Sequence, residues 1–560
     1  MERKTQSHSL LSFLPVCNFN MHSLLLFFLY TLFLNARAEN PHLLTDTSRI
    51  SRYWGQLSPY SDNPATFFGV EYSGLPAGCQ VESAQTLQRH ADRFPSSWTD
   101  AEDGDSIMRF GRKVFNFTSN TSSDLFTGDL EFLNTWQIQI KGEGLLTGTG
   151  AVSEFAAGVD FWNRYGRILY NASIGQLAYD PKFPNGTKRP SIVLRTTDQS
   201  RIQNSLINWA LGFFGSTINK KAQYIENLSK SFEVVTIPEE EEGKWNNTLA
   251  SYISCTNTYG KPYIGTLGER LSNRYIPQYL SQATQRLQKY IPSGFNLTTF
   301  EVHVMQNLCA YETNFVGASA FCGLFTEDEW AGFENSQDIK YYYDYSYGSP
   351  VGRAHGIGYV HEMFARLNHS LITTSSTSVN SSLTDNPETF PTNQAFHADF
   401  THDDIILSTM TALSLDFFHS PPNITQFPPD PNRRFILSKL TPFGARLITE
   451  TIGCSSPNPN PRKFPKIQYT VNQDGYSASN APYKFVRMRL NNGIIPLNNI
   501  RGGACGDDLT GRADGMCALE DFLGIRDNIT ALANYQYVCF SNYTIDDPDS
   551  GKDWDGTFLP

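Results

Sequence analysis

Gln88-Arg89-His90-Ala91-Asp92-Arg93-Phe94-Pro95 sets a histidine between two arginines, directly after a strand-like run. Two fixed cations beside an imidazole attract an anion and hold the ring neutral, because a second positive charge is disfavoured there. A neutral imidazole among guanidinium groups can attack phosphorus. The run before it, Cys79 to Gln88, alternates polar and small apolar residues and reads as a strand. Its C-terminal end delivers Arg89 and His90 into a loop, and open α/β sheets bind ligands at that edge.

Two later stretches repeat the pattern. Ser191-Ile192-Val193-Leu194-Arg195 reads as a short buried strand with an arginine at its exit, and Thr196-Thr197-Asp198 can cap a helix from Arg201 through Phe213. Phe396 to Thr401 alternates as a strand does and ends at His402-Asp403-Asp404, before the apolar helix Ile405 to Leu415. A helix N-terminus there favours an anion. Three strand ends thus supply Arg89, His90 and Arg93, then Arg195, then His402 and Asp403, an inventory for phosphoryl transfer that calls for no metal and no cofactor. Gly356 to Leu367 is a helix whose His361-Glu362 opens like the zinc motif H-E-x-x-H, but Ala365 and Arg366 leave the second ligand missing. It reads as a structural helix.

At 560 residues the chain exceeds the size of a single core, so two packed lobes are expected. The net charge of -11 argues against a nucleic-acid partner, and an anionic substrate must be captured by a local basic pocket. Apolar positions from Asp124 to Tyr165 recur at mostly helical spacing, as helices packed on a sheet do. From about Ser200 to Tyr345 the signals are helical with no repeated strand-like runs, which implies a helical lobe inserted into an α/β body. Glu239 to Glu242 reads as a solvated loop within it. Arg446 to Pro560 carries strand-like runs at Tyr483 to Leu490 and Tyr535 to Phe540 that complete the sheet.

Leu24 to Leu34 is an apolar run followed by Ala36-Arg37-Ala38, the pattern of a signal peptide cleaved before Glu39. The run is too short to span a membrane, and Met21 offers a second start that would leave Cys17 outside the chain. Eight cysteines remain: Cys79, Cys255, Cys309, Cys322, Cys454, Cys505, Cys517 and Cys539. An even number behind an export signal implies disulfides, and the absence of a C-x-x-C pair argues against structural zinc. Cys309 and Cys322 are close enough in sequence to pair locally. About a dozen N-x-S/T sequons, among them Asn116, Asn171, Asn185, Asn227, Asn296, Asn423, Asn528 and Asn542, fit a secreted glycoprotein.

With these residues in place, the chain resembles the histidine acid phosphatases, branch 2 of the phosphoglycerate-mutase-like histidine phosphatase superfamily, and within them the secreted fungal acid phosphatases and phytases. QRHADRFP resembles that family's RHGxRxP, VLRTTDQSRIQNS its second-arginine segment, and HADFTHDD its His-Asp segment; LTGTGAVSEFAAGVDFWNRY, FCGLFTEDEW and GIGYVHEMFARL are further matches. The resemblance implies an α/β/α sandwich with an inserted, smaller, mainly helical domain. The expected organisation is a signal peptide at 1–38, an extended arm at 39–76, the α/β core at 77–200 and 346–560, and a helical cap at 201–345. It also implies the pairings Cys79 with Cys454, Cys255 with Cys539, Cys309 with Cys322 and Cys505 with Cys517, which spacing alone leaves among 105 connectivities. His90 would be the nucleophile that forms a phosphohistidine, Asp403 the proton donor, and Arg89, Arg93, Arg195 and His402 the phosphate holders.

The expected function is hydrolysis of small phosphomonoesters at acid pH by a secreted enzyme, with phytate as the alternative substrate and a non-catalytic glycoprotein of the same fold as the rival class. Two positions depart from the family pattern. Ala91 stands where glycine is usual, and Asp404 where asparagine often follows His-Asp. Ser96 to Asp105 is acidic and lacks the lysines that the family's phytases carry after RHGxRxP, which favours a broad acid phosphatase.

Overall fold

The order of the strands explains why distant segments meet. The computed structural model describes residues 42–559 apart from 97–102, 121–124, 141, 174, 177, 216–230, 240–245, 464–469, 472 and 508. The proposed signal peptide, the acidic run from Ser97 to Glu102 and Asn227 lie outside the described residues. The strands are β1 (Cys79–Arg89), β2 (Ile192–Thr197), β3 (Phe232–Ile237), β4 (Phe396–Thr401), β5 (Arg446–Cys454), β6 (Tyr483–Leu490), β7 (Gly493–Ile495) and β8 (Cys517–Ala518). They form one mixed sheet in the order β3-β2-β4-β1-β5-β6-β7, with β8 on β6. β3, β2, β4 and β1 run parallel, and β5, β6, β7 and β8 pair antiparallel. Residues after Arg89, Thr197, Ile237 and Thr401 therefore emerge at one edge.

The longer helices are α1 (Asp103–Asn120), α2 (Gly148–Phe161), α3 (Ser200–Phe214), α4 (Leu267–Leu287), α5 (Thr299–Val316), α6 (Glu327–Tyr345), α7 (Gly352–Leu367) and α8 (Asp403–Ala412). Strand alternation assigns each face its layer. Phe396, Ala398 and Phe400 of β4 share a cluster with Phe161 of α2 and Trp209 and Phe213 of α3. Asp399, one residue out of phase, instead takes Arg366 of α7. The helix pairs lie very close. A Cβ on Gly158 of α2 would meet the Trp209 carbonyl oxygen at 2.0 Å, and one on Gly356 of α7 would meet that of Ser408 at 2.0 Å. The sheet is thus sandwiched between helix pairs, as the family resemblance implies.

α4, α5 and α6 pack on one another, and their apolar faces merge with those of α7 and α8 into a single buried cluster. Thr298 with Glu301 and Thr326 with Glu329 form capping boxes that start α5 and α6, the latter within FCGLFTEDEW. Two expectations need correction. β3 falls inside the stretch read as strand-free: Phe232 to Ile237 is a six-residue strand extending the sheet, with exposed Glu233 and Val234 facing out at its edge. α3 and β3 thus belong to the sheet and its cover, and the helical insert follows them. Tyr535–Phe540 is a helical turn, because Tyr535, Val538 and Cys539 turn inward at helical spacing. All four implied disulfides are present, and Cys79–Cys454 joins directly opposed residues of β1 and β5 across a separation of 375.

Candidate active site

His90 follows the last residue of β1 and is clamped by its backbone: its N–H donates to Thr401 O at 3.0 Å and its carbonyl accepts from Gly444 N at 3.0 Å. Its Nδ1 lies 2.9 Å from the Ala91 carbonyl oxygen. A carbonyl can only accept, so Nδ1 carries the hydrogen and Nε2 keeps the lone pair. Burial, followed by the charges of Arg89, Arg201, Arg93 and His402, holds the ring well below its ordinary pKa. Burial and the neighbouring cations thus favour the neutral, nucleophilic imidazole. Ala91 does not have a positive φ, so its methyl group causes no backbone strain.

Arg89 is fully buried, yet its charge is well supported. Nη1 donates to the carbonyls of Gln56 at 2.5 Å and Thr441 at 2.7 Å, Nη2 lies 2.9 Å from Asp403 Oδ2, and the guanidinium sits 4.5 Å from the Phe443 ring centroid. Gln56 comes from the segment expected to be an extended arm. That segment supplies a carbonyl to the active site, a contact invisible to side-chain patterns.

β4 delivers the other half. His402 caps α8, with its ring 5.8 Å from that of His90 and nearly perpendicular to it. Its Nε2 is 2.9 Å from Glu239 Oε1. Asp403 also receives the Tyr341 hydroxyl on Oδ2 at 3.1 Å. Burial pushes the Asp403 carboxyl up, but Arg89, Arg93 and His402 outweigh it and hold it below the ordinary range. Its neighbour Asp404 is raised, by burial and by Asp403, to about 7. Asp404 is therefore neutral in acid, where it mimics the uncharged asparagine of the family pattern.

Arg195 is not at this site. β2 runs two residues beyond the expected exit, to Thr197, so Arg195 lies mid-strand and faces α7. There Nε donates to Asp399 Oδ1 at 2.7 Å and Nη2 to Glu362 Oε2 at 2.5 Å. The cation near His90 is Arg201, in the first turn of α3, whose guanidinium acts on His90 and stands beside Arg93. Its Nε has no hydrogen-bond partner. Arg201 sits in the quoted segment VLRTTDQSRIQNS, and its place in the first turn after a strand edge was the available signal. The same network explains His361-Glu362: Glu362 neutralises Arg195, and His361 Nε2 contacts Thr530 Oγ1 at 2.8 Å.

Glu239 is a second correction. It is buried, not solvated, because it leaves β3 at the shared edge and gathers His402, Tyr252 and Gln199. Burial opposes its charge, but His402 and hydrogen bonds from Tyr252 and Thr197 hold its carboxyl down at about 2. Asp198 accepts the Glu239 N–H at 2.9 Å rather than capping α3.

A buried neutral imidazole with a free lone pair, ringed by arginines at the carboxyl edge of a parallel sheet, defines a phosphate-directed α/β protein. Residues 80–487 match the histidine phosphatase superfamily (branch 2), and the chain belongs to that family. It is 27% identical to phytase A of Aspergillus oryzae over 88% of this chain and 91% of that protein. It is 26% identical to the thiamine-repressible acid phosphatase of Schizosaccharomyces pombe over 87% of this chain and 89% of that protein. A crystal structure of the phytase from D. castellii shares the fold, with a TM-score of 0.64 at 21% identity over 90% of this chain and 94% of that one.

Proposed function

We propose that this protein is an acid phosphatase that hydrolyses small phosphomonoesters through a phosphohistidine. The observation that carries the reading is the buried His90 imidazole, with Nδ1 against the Ala91 carbonyl and the charges of Arg89, Arg201 and Arg93 acting on the ring. Nε2 attacks phosphorus as the ester P–O bond breaks, and Asp403 gives its proton to the departing oxygen. Water then attacks phosphorus, the P–N bond breaks, and Asp403 takes the proton from that water. Arg89, Arg93, Arg201 and His402 balance the charge on the phosphoryl oxygens. A phosphate dianion on these arginines competes for the charge that lowers Asp403, so substrate binding raises the donor's pKa toward the acid working range.

The chain acts outside the cell as a glycoprotein. Supporting this, the described sequon asparagines Asn116, Asn171, Asn185, Asn296, Asn423, Asn528 and Asn542 are all exposed, and eight cysteines are paired. Among the described residues no helix is long and apolar enough to cross a membrane. Phytate remains the second substrate, favoured by the phytases among its relatives.

The test is turnover of p-nitrophenyl phosphate and phytate between pH 2 and 7 by the wild type and His90→Ala. The wild type should show an acid-side optimum and trap an acid-labile, alkali-stable phosphoenzyme. A His90→Ala protein that still released phosphate would sink the mechanism.

A further inference from the structure

The wall that carries Asp403 is built of tyrosines from two separate parts of the chain. On one side Tyr341 of α6 donates to Asp403, and its ring lies 5.3 Å from that of Tyr345, one turn further on. On the other, Tyr252 lies 5.8 Å from the His402 ring and edge-on to Tyr259 at 6.4 Å. The two sides meet: the phenols of Tyr252 and Tyr345 both lie within electrostatic reach of Asp404 and of Tyr259. Tyr341 is buried, Tyr252 and Tyr345 are half-buried, and Tyr259 is 58% exposed, so the rings grade from floor to mouth.

The wall carries both signs of charge, for Arg89 lies within electrostatic reach of Tyr341 and Arg201 of Tyr252. Asp403, Asp404 and Glu239 face the rings, and Asp344 stands behind Tyr345. Of the nearby lysines, Lys340 acts on Asp344, and exposed Lys261 is held by Asn542. A proton donor must touch the ester oxygen, so the leaving group has to lie against the surface around Asp403. Aromatic faces and edges attract a flat ring at centroid separations of 4.5–7 Å.

We propose that this wall selects aryl phosphomonoesters, in which phosphate is esterified to a phenol, over alkyl ones. The inference rests on the phosphatase reading and names its substrate class.

Non-hydrolysable phosphonates test it without interference from leaving-group reactivity. Competitive inhibition of the full-length protein by phenylphosphonate and methylphosphonate is measured at pH 5. Phenylphosphonate should bind several-fold more tightly, and Tyr259→Ala and Tyr345→Ala should each shrink the phenyl-to-methyl affinity ratio by roughly 2- to 10-fold, the scale of one ring–ring contact. Tyr345→Phe, which keeps the ring, should retain the ratio and so separates stacking from a folding defect. Equal affinity for the two phosphonates in the wild type, or a ratio that survives both alanine substitutions, would overturn the aryl selection. Either result leaves the phosphatase reading standing, because His90→Ala tests that separately.

Discussion

His402 Nε2 and Glu239 Oε1 are 2.9 Å apart, which joins the ends of β4 and β3 across the sheet edge that holds His90. A carboxylate only accepts, so His402 donates the hydrogen on its Nε2. Glu239 is further fixed by Tyr252 and Gln199. It is a positioning residue, acting on substrate only through His402.

Replacing that carboxylate by an amide keeps the shape and removes the charge. Glu239→Gln is expected to lower kcat/KM about tenfold, the scale of one charge-assisted hydrogen bond. The inhibition constant for inorganic phosphate should rise in parallel, because the proposed mechanism has His402 hold the phosphoryl oxygens in both complexes. Steady-state kinetics with phosphate as inhibitor measure both, and an unchanged phosphate constant would remove Glu239 from this role.

Arg195 and Arg201 should separate cleanly when each is mutated. Arg201→Ala removes a cation near His90 and is expected to cost roughly 100-fold in kcat/KM while leaving the folded state intact. Arg195→Ala leaves Glu362 buried without its cation and Asp399 with Arg366 alone, and is expected to destabilise the fold by about 3–5 kcal/mol. Urea unfolding alongside kinetics distinguishes the two. Loss of turnover without loss of stability in Arg195→Ala would reverse the assignment.

The error over Arg195 shows where sequence legibility ended. His90, Arg89, Arg93, His402 and Asp403 could be read because each lies within a few residues of a strand end marked by alternation and followed by polar residues. Telling Arg195 from Arg201 required the strand length to within two residues, since each added residue turns the side chain to the opposite face. Glu239 follows a strand whose outward residues are exposed at a sheet edge, so its alternation was weak, and Glu240, Glu241 and Glu242 beside it made the segment look solvated. Gln56 contributes only a carbonyl oxygen, which every residue has. The disulfide pairing and the two helix layers came from the family resemblance, whereas periodicity gave only helices packed on a sheet.

Asp404 sets a second, pH-dependent expectation. With its carboxyl pushed up to about 7 by burial and Asp403, raising the pH through neutrality adds a negative charge beside the phosphate site. Asp404→Asn cannot ionise, so its kcat/KM should fall less steeply than the wild type's between pH 6 and 8, while the two profiles run parallel below about pH 5. Profiles that remain superimposed at neutral pH would show that another group limits the wild type there.

Glu154 on α2 makes the fold itself prefer acid. Its side chain is fully buried beneath β1, hydrogen-bonded to Gln88 two residues before His90, and burial raises its carboxyl to about 8 despite the opposing pull of Arg446. The folded state therefore keeps a proton that the unfolded chain releases near its ordinary value of 4.5. A raised folded pKa gives stability that is fully present below the unfolded value and is lost as pH climbs through the folded one. The window runs from about 4.5 to about 8. Glu154→Gln has no proton to lose, so its Tm should decline less than the wild type's between pH 5 and pH 8. Some decline should persist, because Asp344, raised to about 7, and Asp92, raised to about 6, follow the same sign. Thermal melts of both proteins across that range measure the difference, and equal slopes would mean that Glu154 is already ionised in the fold.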